Sequence, residues 1–393
     1  MSARGSGGGF TAVAMSGGLD SSVAASLLAR TGGPVIGLSM LLWDQSSKER
    51  SGRCCGSLDL GDARRVARQV GIPHYTLRLD AEFTAKVVDP FVDDYAAGRT
   101  PSPCVRCNTF IKFDAFVERA RRLGAARIAT GHYARIVEGP EGLELHRGAD
   151  EEKDQSYFLF ELRQEQLAAA VFPLGEMTKI AVRDEARRAG LHVAEKGESM
   201  EVCFVDGDLQ PFLDERLARA AGTADLAPPP VDAPATAPAT LPATHAATAA
   251  ARRGADVVDR SGRHLGTAGP YYRYTVGQRR GLGIGGRRPL YVLEVVPAAN
   301  RVVVGGRDEL RASGLRGERL HWIGTPPTGE VEASVRIRSR HPGVPSRIQP
   351  RPGRRVEIEF ASPQDGVAPG QAAVFYDGTR VLGGCWITGS EAA

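Results

Sequence analysis

The stretch AVAMSGGLDSS, residues Ala12 to Ser22, decides the fold of this 393-residue chain. Its first letters complete a short apolar strand, FTAVAM, and its last letters begin the helical run SSVAASLLAR. The turn between them contains two adjacent glycines. Glycine lets backbone amides approach an anion closely, and the N-terminus of a helix carries a partial positive charge. A strand, a glycine turn and a helix in this order predict a phosphate-binding loop.

The same alternation of strand and helix continues through roughly the first 130 residues. Further strands are predicted at VIGLSM, HYTLRL and RIAT, and further helices at LDLGDARRVARQV and over residues 113–123. Such alternation is typical of a parallel sheet covered by helices on both faces, with ligands at the carboxyl ends of the strands. We therefore expect an α/β fold whose N-terminal domain is a Rossmann-like, parallel-sheet nucleotide-binding domain.

The composition changes abruptly after this region. Residues 220–251 are rich in Pro, Ala and Thr and cannot build a core, whereas short apolar runs such as PLYVLEVV, RVVVGG and RRVEIEF follow them. These runs predict a C-terminal antiparallel β-barrel. We expect a catalytic domain over residues 1–209, a small central domain over 210–293 with an insertion at about 220–253, and a β-barrel domain over 294–393.

Composition limits the class of protein. Six cysteines are too few for a disulfide scaffold of this length, which favours a reducing cytoplasm, and no apolar run is long enough to span a membrane. The net charge of +4 permits nucleic-acid binding without requiring it. Local charge is more informative. VRIRSR would place Arg336, Arg338 and Arg340 on one face of a strand, about 6.6 Å apart, and the loop GQRRGLGIGGRR adds four more arginines. These arginines predict phosphate contacts, although a solvated charged face is the alternative.

The loop also carries polar groups suited to a nucleotide. Ser16, Ser21 and Ser22 can donate hydrogen bonds, and Asp20 could hold a magnesium ion between phosphates. The Walker motif is absent. The pattern S-G-G-x-D-S instead resembles the pyrophosphate-loop ATPases. That resemblance implies adenylation of a carbonyl oxygen, with release of pyrophosphate and later of AMP.

Two cysteines lie three residues apart in TPSPCVRCNTFIKF, at Cys104 and Cys107. If Asn108 or Thr109 caps a helix, the helix N-terminus would favour the Cys107 thiolate. Cys203 lies far downstream in ESMEVCFVDG. An adenylating loop with two separated thiols indicates sulfur transfer from a persulfide, although a core role for each thiol remains open. A zinc site is less favoured because no second Cys or His pair completes it. Cys385 reads as a buried core residue, and Cys54 and Cys55 as either core or site.

Eight motifs occur in order along almost the whole chain outside the insertion: SGGLDSSV, TPSPCVRCNTFIKF, ATGHYARI, KDQSYFLF, FPLGEMTK, EVCFV, YTVGQRRGLGIGG and PGQAAVFYDG. Together they resemble the tRNA-specific 2-thiouridylases. The resemblance implies ATP-dependent 2-thiolation of the wobble uridine in tRNA anticodons, by adenylation of the C2 carbonyl oxygen and sulfur transfer from a cysteine persulfide. The products would be 2-thiouridine, AMP and pyrophosphate.

The resemblance assigns roles to positions of this chain. Cys107 matches the nucleophile and Cys203 the persulfide carrier, and the two would form a catalytic disulfide. Residues matching the ATP site are Ala14, Met15, Ser16, Gly17, Gly18, Leu19, Asp20, Ser21, Met40 and Gly131. Residues matching the target-base stretch are Ser102, Pro103 and Cys104, and those matching tRNA contacts are His132, Lys153, Asp154, Gln155, Arg338 and Gln371.

The resemblance also implies partners and leaves alternatives open. It implies ATP with Mg²⁺, a tRNA with a wobble uridine, a cysteine desulfurase or sulfur-relay protein as persulfide donor, and a cytoplasmic monomer without membrane attachment. Many members have aspartate where this chain has Cys104, so an iron–sulfur cluster on Cys104, Cys107 and Cys203 is an alternative. A pyrophosphate-loop amide-forming ligase and an RNA-binding protein with an inactive loop are the competing function classes. Both would leave the separated thiols unexplained.

Overall fold

The computed structural model describes residues 9–43, 57–197, 202–205, 207–222, 254–284 and 288–393. Most of the predicted insertion, together with Cys54 and Cys55, lies outside these residues. The described strands are β1 (Phe10–Ala14), β2 (Val35–Leu41), β3 (His74–Arg78), β4 (Ala125–Ala129), β5 (Ala134–Gly139), β6 (Gly142–Arg147), β7 (Ala170–Val171), β8 (Asp256–Val258), β9 (His264–Thr267), β10 (Tyr291–Val296), β11 (Arg301–Gly305), β12 (Arg311–Trp322), β13 (Val331–Arg336), β14 (Val344–Arg351), β15 (Arg355–Asp365), β16 (Ala372–Asp377) and β17 (Arg380–Ala392).

The described α-helices are α1 (Leu19–Ala29), α2 (Ser57–Gln69), α3 (Asp80–Phe83), α4 (Asp89–Ala96), α5 (Pro103–Arg106), α6 (Phe116–Arg122), α7 (Gln164–Ala169), α8 (Lys179–Arg188) and α9 (Leu209–Gly222). Two π-helical segments make longer helical runs out of short pieces. Residues Thr84–Val88 join α3 to α4, and Cys107–Ala115 join α5 to α6. None of the helices in the described ranges is both long and apolar enough to cross a membrane.

The N-terminal sheet is parallel, with strand order β3-β2-β1-β4-β7. Side chains of β1 alternate between two cores: Ala12 and Ala14 belong to one apolar cluster, and Val13 to the other. Helix α1 packs entirely on the second side, where Val23 and Ala24 are buried. Successive strand residues point to opposite faces, so both faces of this sheet are covered, as expected for a Rossmann-like fold. The predicted fold of this domain is confirmed.

A second sheet, with order β10-β11-β8-β9, forms the central part of the chain. Pairing of Arg301–Gly305 with Asp256–Val258 joins residues from both sides of the predicted boundary at 293–294 into one sheet. It docks on the N-terminal domain through the Tyr271 hydroxyl, which donates to the carbonyl of Ala96 at 2.6 Å. This contact lies at the end of α4, close in sequence to the two cysteines of interest.

The third sheet is the predicted antiparallel barrel. Strands follow the order β12-β15-β14-β13-β16-β17, and pairing of β12 with β17 closes the ring. The hairpin β5–β6 of the N-terminal domain extends this sheet, because Leu145 and His146 pair with Val381 and Arg380 of β17. One prediction for this region is wrong: VRIRSR is not a continuous strand, since β13 ends at Arg336 and a turn follows.

Candidate active site

A cleft of about 320 Å³ opens at the carboxyl ends of β1, β2 and β4. Its position is the one expected for a ligand of a parallel sheet. The residues predicted to bind ATP converge here. Gly17 does not line the cleft, but its carbonyl accepts a hydrogen bond from Lys196, which does. Those that line the cleft are Ala14, Met15, Ser16, Gly18, Leu19, Asp20, Ser21, Met40 and Gly131.

The loop between β1 and α1 needs glycine at a position where the backbone is left-handed and crowded. Gly17 has φ +74°, and a Cβ there would lie 2.0 Å from the carbonyl oxygen of Asp59. The serines complete the loop. The hydroxyl of Ser21 accepts the amide of Ser16 at 3.2 Å, and the hydroxyl of Ser22 donates to the carbonyl of Gly18 at 2.8 Å. Side chains of the loop itself therefore hold its backbone together.

Gly131 answers a different demand. A Cβ at Gly131 would lie 2.8 Å from the carbonyl carbon of Asp20 and 2.9 Å from the amide nitrogen of Ser21. The end of β4 therefore approaches the N-terminus of α1 at backbone contact distance. This approach closes one side of the cleft against the helix that carries the loop serines.

Four lysines line the cleft: Lys112, Lys153, Lys179 and Lys196. Only Lys153 is among the predicted site residues. Lys179 Nζ binds both carboxylate oxygens of Asp20, at 2.8 and 2.9 Å, and the Tyr133 hydroxyl donates to the same carboxylate at 2.8 Å. Tyr133 is thus a buried support of the loop. Lysines 112 and 179 fall within two of the eight motifs, which is the signal that could have indicated them.

Lys196 joins three parts of the cleft. Its Nζ donates to the Gly17 carbonyl at 3.0 Å, to Asp59 at 2.5 Å and to Asp62 at 2.7 Å. Burial disfavours its charge, but the hydrogen bonds to the two carboxylates more than offset this and raise its pKa. The ammonium group is therefore charged at neutral pH and holds the glycine loop against α2. No motif in the sequence pointed to Lys196.

His132 lies on the wall of the cleft and is buried. Its Nε2 lies 3.5 Å from Lys112 Nζ and its Nδ1 lies 2.7 Å from the Thr130 hydroxyl. Burial, reinforced by the charge of Lys112, lowers the pKa of His132 well below its ordinary value. Because an ammonium group can only donate, Nε2 must accept and Nδ1 must carry the hydrogen. His132 is a neutral imidazole that holds Lys112 in the cleft.

The helix that carries Cys104 and Cys107 begins earlier than predicted. Pro103 occupies its first turn and Ser102 the N-cap position, so the predicted cap at Asn108 or Thr109 is wrong. Proline at the first helical position starts the helix here because its missing N–H and fixed φ suit the first turn. Cys104 is exposed and Cys107 is buried. The two thiols thus lie in successive parts of one helical run, with different access to solvent.

The π-helical segment that begins at Cys107 has a functional consequence. In a π-helix, residue i+5 lies one turn beyond residue i, whereas in an α-helix it is residue i+4. Lys112, and not the buried Ile111, therefore follows Cys107 by one turn. Lys112 lines the cleft at the end of β1, so a single helical turn connects this cleft to the Cys107 position.

Several bonds hold this helix and the loop before it. Gln371 Nε2 donates to the carbonyls of Thr100 and Pro101, each at 3.0 Å. The Thr109 hydroxyl donates at 2.9 Å to the buried Glu161 carboxylate, which also accepts from Trp386 of the barrel at 2.8 Å. Gln371, a predicted tRNA contact, therefore holds the backbone just before the predicted target-base stretch.

Cys203 is half-buried beside a well-packed anchor. The ring of the next residue, Phe204, contacts Phe83, Phe91 and Phe212, with centroids 5.6, 5.1 and 5.7 Å away. Both Cys107 and Cys203 border the same apolar cluster. The structure therefore brings the segment around Cys203 to the core that also supports the Cys107 helix.

The remaining predicted tRNA contacts divide into buried and exposed residues. In the KDQ segment, Lys153 lines the cleft, Asp154 is buried in an ion pair with Arg336, and Gln155 binds the backbone of Tyr133. Among the described arginines of the predicted patches, Arg336 is buried, whereas the exposed ones are Arg279, Arg280, Arg288, Arg338 and Arg340. The predicted one-faced stripe of three arginines is wrong because the strand ends at the first of them.

Acidification should destabilise the protein. Burial lowers the pKa of His74, His132, His321 and His341. The histidine pKa in the unfolded chain is about 6.5. Below this pH the unfolded chain binds more protons than the folded chain, so the free energy of unfolding decreases as the pH is lowered. Each histidine that stays neutral contributes up to about 1.4 kcal/mol per pH unit. We expect the midpoint of urea unfolding to decrease as the pH is lowered from 7.5 to 5.5. The decrease should be smaller in His341→Asn. A midpoint independent of pH over this range would contradict the prediction.

Comparison with known protein families divides the chain into three parts, as the three sheets do. Three family models match: the tRNA methyl transferase HUP domain over residues 11–207, the tRNA methyl transferase PRC-barrel domain over 248–306, and the aminomethyltransferase beta-barrel domain over 312–387. A 4-thiouridine synthetase in complex with RNA and ATP is a distant structural match, with 15% identity, a TM-score of 0.33, and coverage of 53% of this chain and 50% of that one.

Curated relatives are much closer in sequence. The tRNA-specific 2-thiouridylase of Geobacter metallireducens is 48% identical over 382 residues, which cover 95% of this chain and 95% of the relative. The tRNA-specific 2-thiouridylase of Acidothermus cellulolyticus is 45% identical over 387 residues, 97% of this chain and 98% of the relative. The similarity spans all three sheets and the cleft at the carboxyl ends of the N-terminal sheet. This chain belongs to the tRNA-specific 2-thiouridylase family.

Proposed function

We propose that this protein is a tRNA-uridine 2-sulfurtransferase that thiolates the wobble uridine of tRNA anticodons at the expense of ATP. One observation carries the proposal beyond family membership. A single helical run presents Cys104 and Cys107 at its start and sends Lys112 into the cleft formed by the glycine loop. A nucleotide in the cleft and a thiol on this helix could therefore both react at the C2 carbonyl of the same uridine.

The first step would be adenylation of the uridine. The C2 carbonyl oxygen attacks the α-phosphorus of ATP, an O–P bond forms, and the bond to pyrophosphate breaks. Backbone amides around Gly17 and Gly18 and the N-terminus of α1 would hold the phosphates. The charges of Lys112 and Lys153 would stabilise the negative charge that develops during this transfer. AMP is a good leaving group, so adenylation turns a poorly displaced oxygen into a readily displaced one.

The second step would be sulfur transfer. The terminal sulfur of a Cys203 persulfide attacks C2, a C–S bond forms, and the C–O bond to AMP breaks. The Cys107 thiolate then attacks the Cys203 sulfur, so the persulfide S–S bond breaks and a Cys107–Cys203 disulfide forms. The electron pair of the broken bond stays on the sulfur now attached to C2. A thiol reductant must afterwards reduce the disulfide before another turnover.

Magnesium would accompany ATP, as in other nucleotide enzymes. Magnesium usually takes one or two protein carboxylates and fills its other positions with phosphate and water oxygens. Asp20 is engaged by Lys179, whereas Asp59 Oδ2 is buried and has no hydrogen-bond partner among the residues that the structure describes. The Asp59 carboxylate therefore fits an ion held mainly by phosphates. It would neutralise charge on the leaving pyrophosphate.

An iron–sulfur cluster would need several ligands close together. Within the described ranges, no three His, Cys, Asp or Glu side chains are grouped so that they could hold a metal ion. Cys104 and Cys107 alone do not make such a set, and Cys54 and Cys55 lie outside these ranges. The described residues therefore do not fit an iron–sulfur cluster, and direct measurement of iron in the active protein tests for one.

The test is an anaerobic reaction of purified protein with tRNA, ATP, Mg²⁺ and a persulfide donor. Digested nucleosides are weighed by mass spectrometry, and AMP, pyrophosphate and protein-bound iron are quantified in the same samples. We expect 2-thiouridine in amounts matching AMP, without dependence on iron. An amide-forming ligase would instead add an amine mass, and an inactive RNA-binding protein would release no tRNA-dependent pyrophosphate. Either result would contradict the proposal.

A further inference from the structure

Asp154 lies at a buried junction between the N-terminal domain and the barrel. Its side chain is 2% exposed and its Oδ2 lies 3.0 Å from Nη1 of Arg336, whose side chain is 11% exposed. Its Oδ1 accepts the amides of Gly148 at 3.3 Å and Ser156 at 3.0 Å. A buried ion pair is tolerated only when its remaining polar atoms are satisfied, as they are here. The Asp154 carboxylate is therefore withdrawn from the surface.

On the barrel side, Arg336 holds the turn that follows β13. Its Nε donates to the His341 carbonyl at 2.7 Å, and its Nη2 donates to the Ser339 carbonyl. This turn presents Arg338 and Arg340 to solvent. The orientation of two exposed arginines is therefore fixed from inside by the guanidinium group that Asp154 binds.

On the other side, the neighbours of Asp154 reach the nucleotide cleft. Lys153 lines the cleft itself. Gln155 binds Tyr133 twice, by its amide to the Tyr133 carbonyl at 2.9 Å and by its Oε1 to the Tyr133 amide at 3.1 Å. The Tyr133 hydroxyl in turn binds Asp20 of the glycine loop at 2.8 Å. A continuous set of bonds runs from the arginine-bearing turn to the phosphate loop.

We propose that Asp154 is a positioning residue that couples nucleotide binding in the cleft to tRNA contact at the turn of residues 337–341. This inference rests on the proposed function, in which both ligands bind one molecule. A nucleotide that contacts Lys153, Asp20 or Lys179 changes the hydrogen bonds at one end of this set. The Asp154–Arg336 pair transmits the change to the arginines that face the tRNA backbone. By reciprocity, tRNA would tighten nucleotide binding by the same factor.

Asp154→Asn tests the coupling with little change of shape. The asparagine oxygen can still accept the two backbone amides, but it loses the charge that fixes Arg336. We expect a non-hydrolysable ATP analogue to tighten tRNA binding by wild type by about 5-fold or more. In Asp154→Asn this ratio should fall to about 1, and Arg336→Gln should behave alike. The double variant should lose no more than either single variant, because both act through one contact.

Tyr157→Phe is the matched control. Its hydroxyl also bridges the two domains, to the Ala372 carbonyl at 2.9 Å, but it takes no part in the chain of bonds to the cleft. This variant should retain the wild-type coupling ratio. The proposal is overturned if wild type shows no coupling, or if folded Asp154→Asn, checked by its melting curve, keeps the full ratio. Formation of 2-thiouridine by wild type, measured on the same preparation, reports separately on the proposed function.

Discussion

Replacing Cys107 or Cys203 by serine is expected to lower 2-thiouridine formation by about 1,000-fold or more, while tRNA-dependent release of pyrophosphate continues. Without Cys203 no persulfide forms, and without Cys107 the transferred sulfur cannot be released as a thiocarbonyl. The cleft in which we propose that ATP binds is lined by neither residue. Single-turnover mass spectrometry of the nucleosides, with pyrophosphate measured in parallel, separates the two steps.

Cys385→Ala provides the control for these variants. Cys385 is fully buried in the barrel core, where burial raises the pKa of its thiol, and it lies in the described cluster that fills the barrel. Its loss should cost stability and leave thiolation intact. Thiolation that survives in Cys107→Ser would exclude the disulfide step. Loss of pyrophosphate release in both serine variants would show that the thiols are needed for adenylation, which the two-step scheme does not allow.

Gly17→Ala should weaken the binding of a non-hydrolysable ATP analogue by about 100-fold. The added methyl group would meet the Asp59 carbonyl at 2.0 Å, and the backbone conformation at φ +74° disfavours any side chain. The loop must move, and displacing two amides from the phosphates costs about 2–3 kcal/mol, which corresponds to that loss. Isothermal titration calorimetry measures the affinity, and a melting curve shows whether the protein remains folded.

Two other glycines calibrate this experiment. Gly18 has φ −87° and the nearest atom to an added Cβ is the Ser16 hydroxyl at 3.6 Å, so Gly18→Ala should have a smaller effect. Gly33 lies in the turn after α1 with open space around it, and Gly33→Ala should bind the analogue like wild type. Equal affinities for Gly17→Ala and Gly33→Ala would show that the loop does not contact the phosphates.

The parallel sheet could be predicted because its signals are local. Each strand is a short apolar run bounded by glycine or polar residues, and each helix has a clear apolar spacing. Strand β12 escaped prediction for a physical reason. It places Gly314 and Gly317 where a Cβ would meet the Ile358 carbonyl at 2.4 Å and the Cys385 sulfur at 2.5 Å. Tight packing demands residues without side chains there, and this removes the apolar alternation that marks a strand.

The candidate site shows the same limit. The glycine loop and the two cysteines could be identified because their motifs are contiguous. Lys196 could not, because a lysine in a loop ordinarily faces solvent, and only the fold brings it to Asp59. Lys179 lies within a motif, but its pairing with Asp20 also depends on the fold. The burial of Asp154 was also beyond reach, since its partner lies 182 residues away along the chain. Long-range charge pairs leave no local pattern.

The hairpin β5–β6, which extends the barrel sheet from within the N-terminal domain, bears on how the protein can be taken apart. The three family models divide the chain into three consecutive segments. Strand β6 lies in the first segment, yet it pairs with β17 in the last. If only the barrel were replaced by that of a relative, its last strand would have to pair with a β6 of different sequence. The residue in place of Arg336 would also need an acidic partner at position 154. A chimera should therefore carry residues 134–156 together with the barrel. The unit of exchange in this protein is defined by its sheets, and it is discontinuous in the chain.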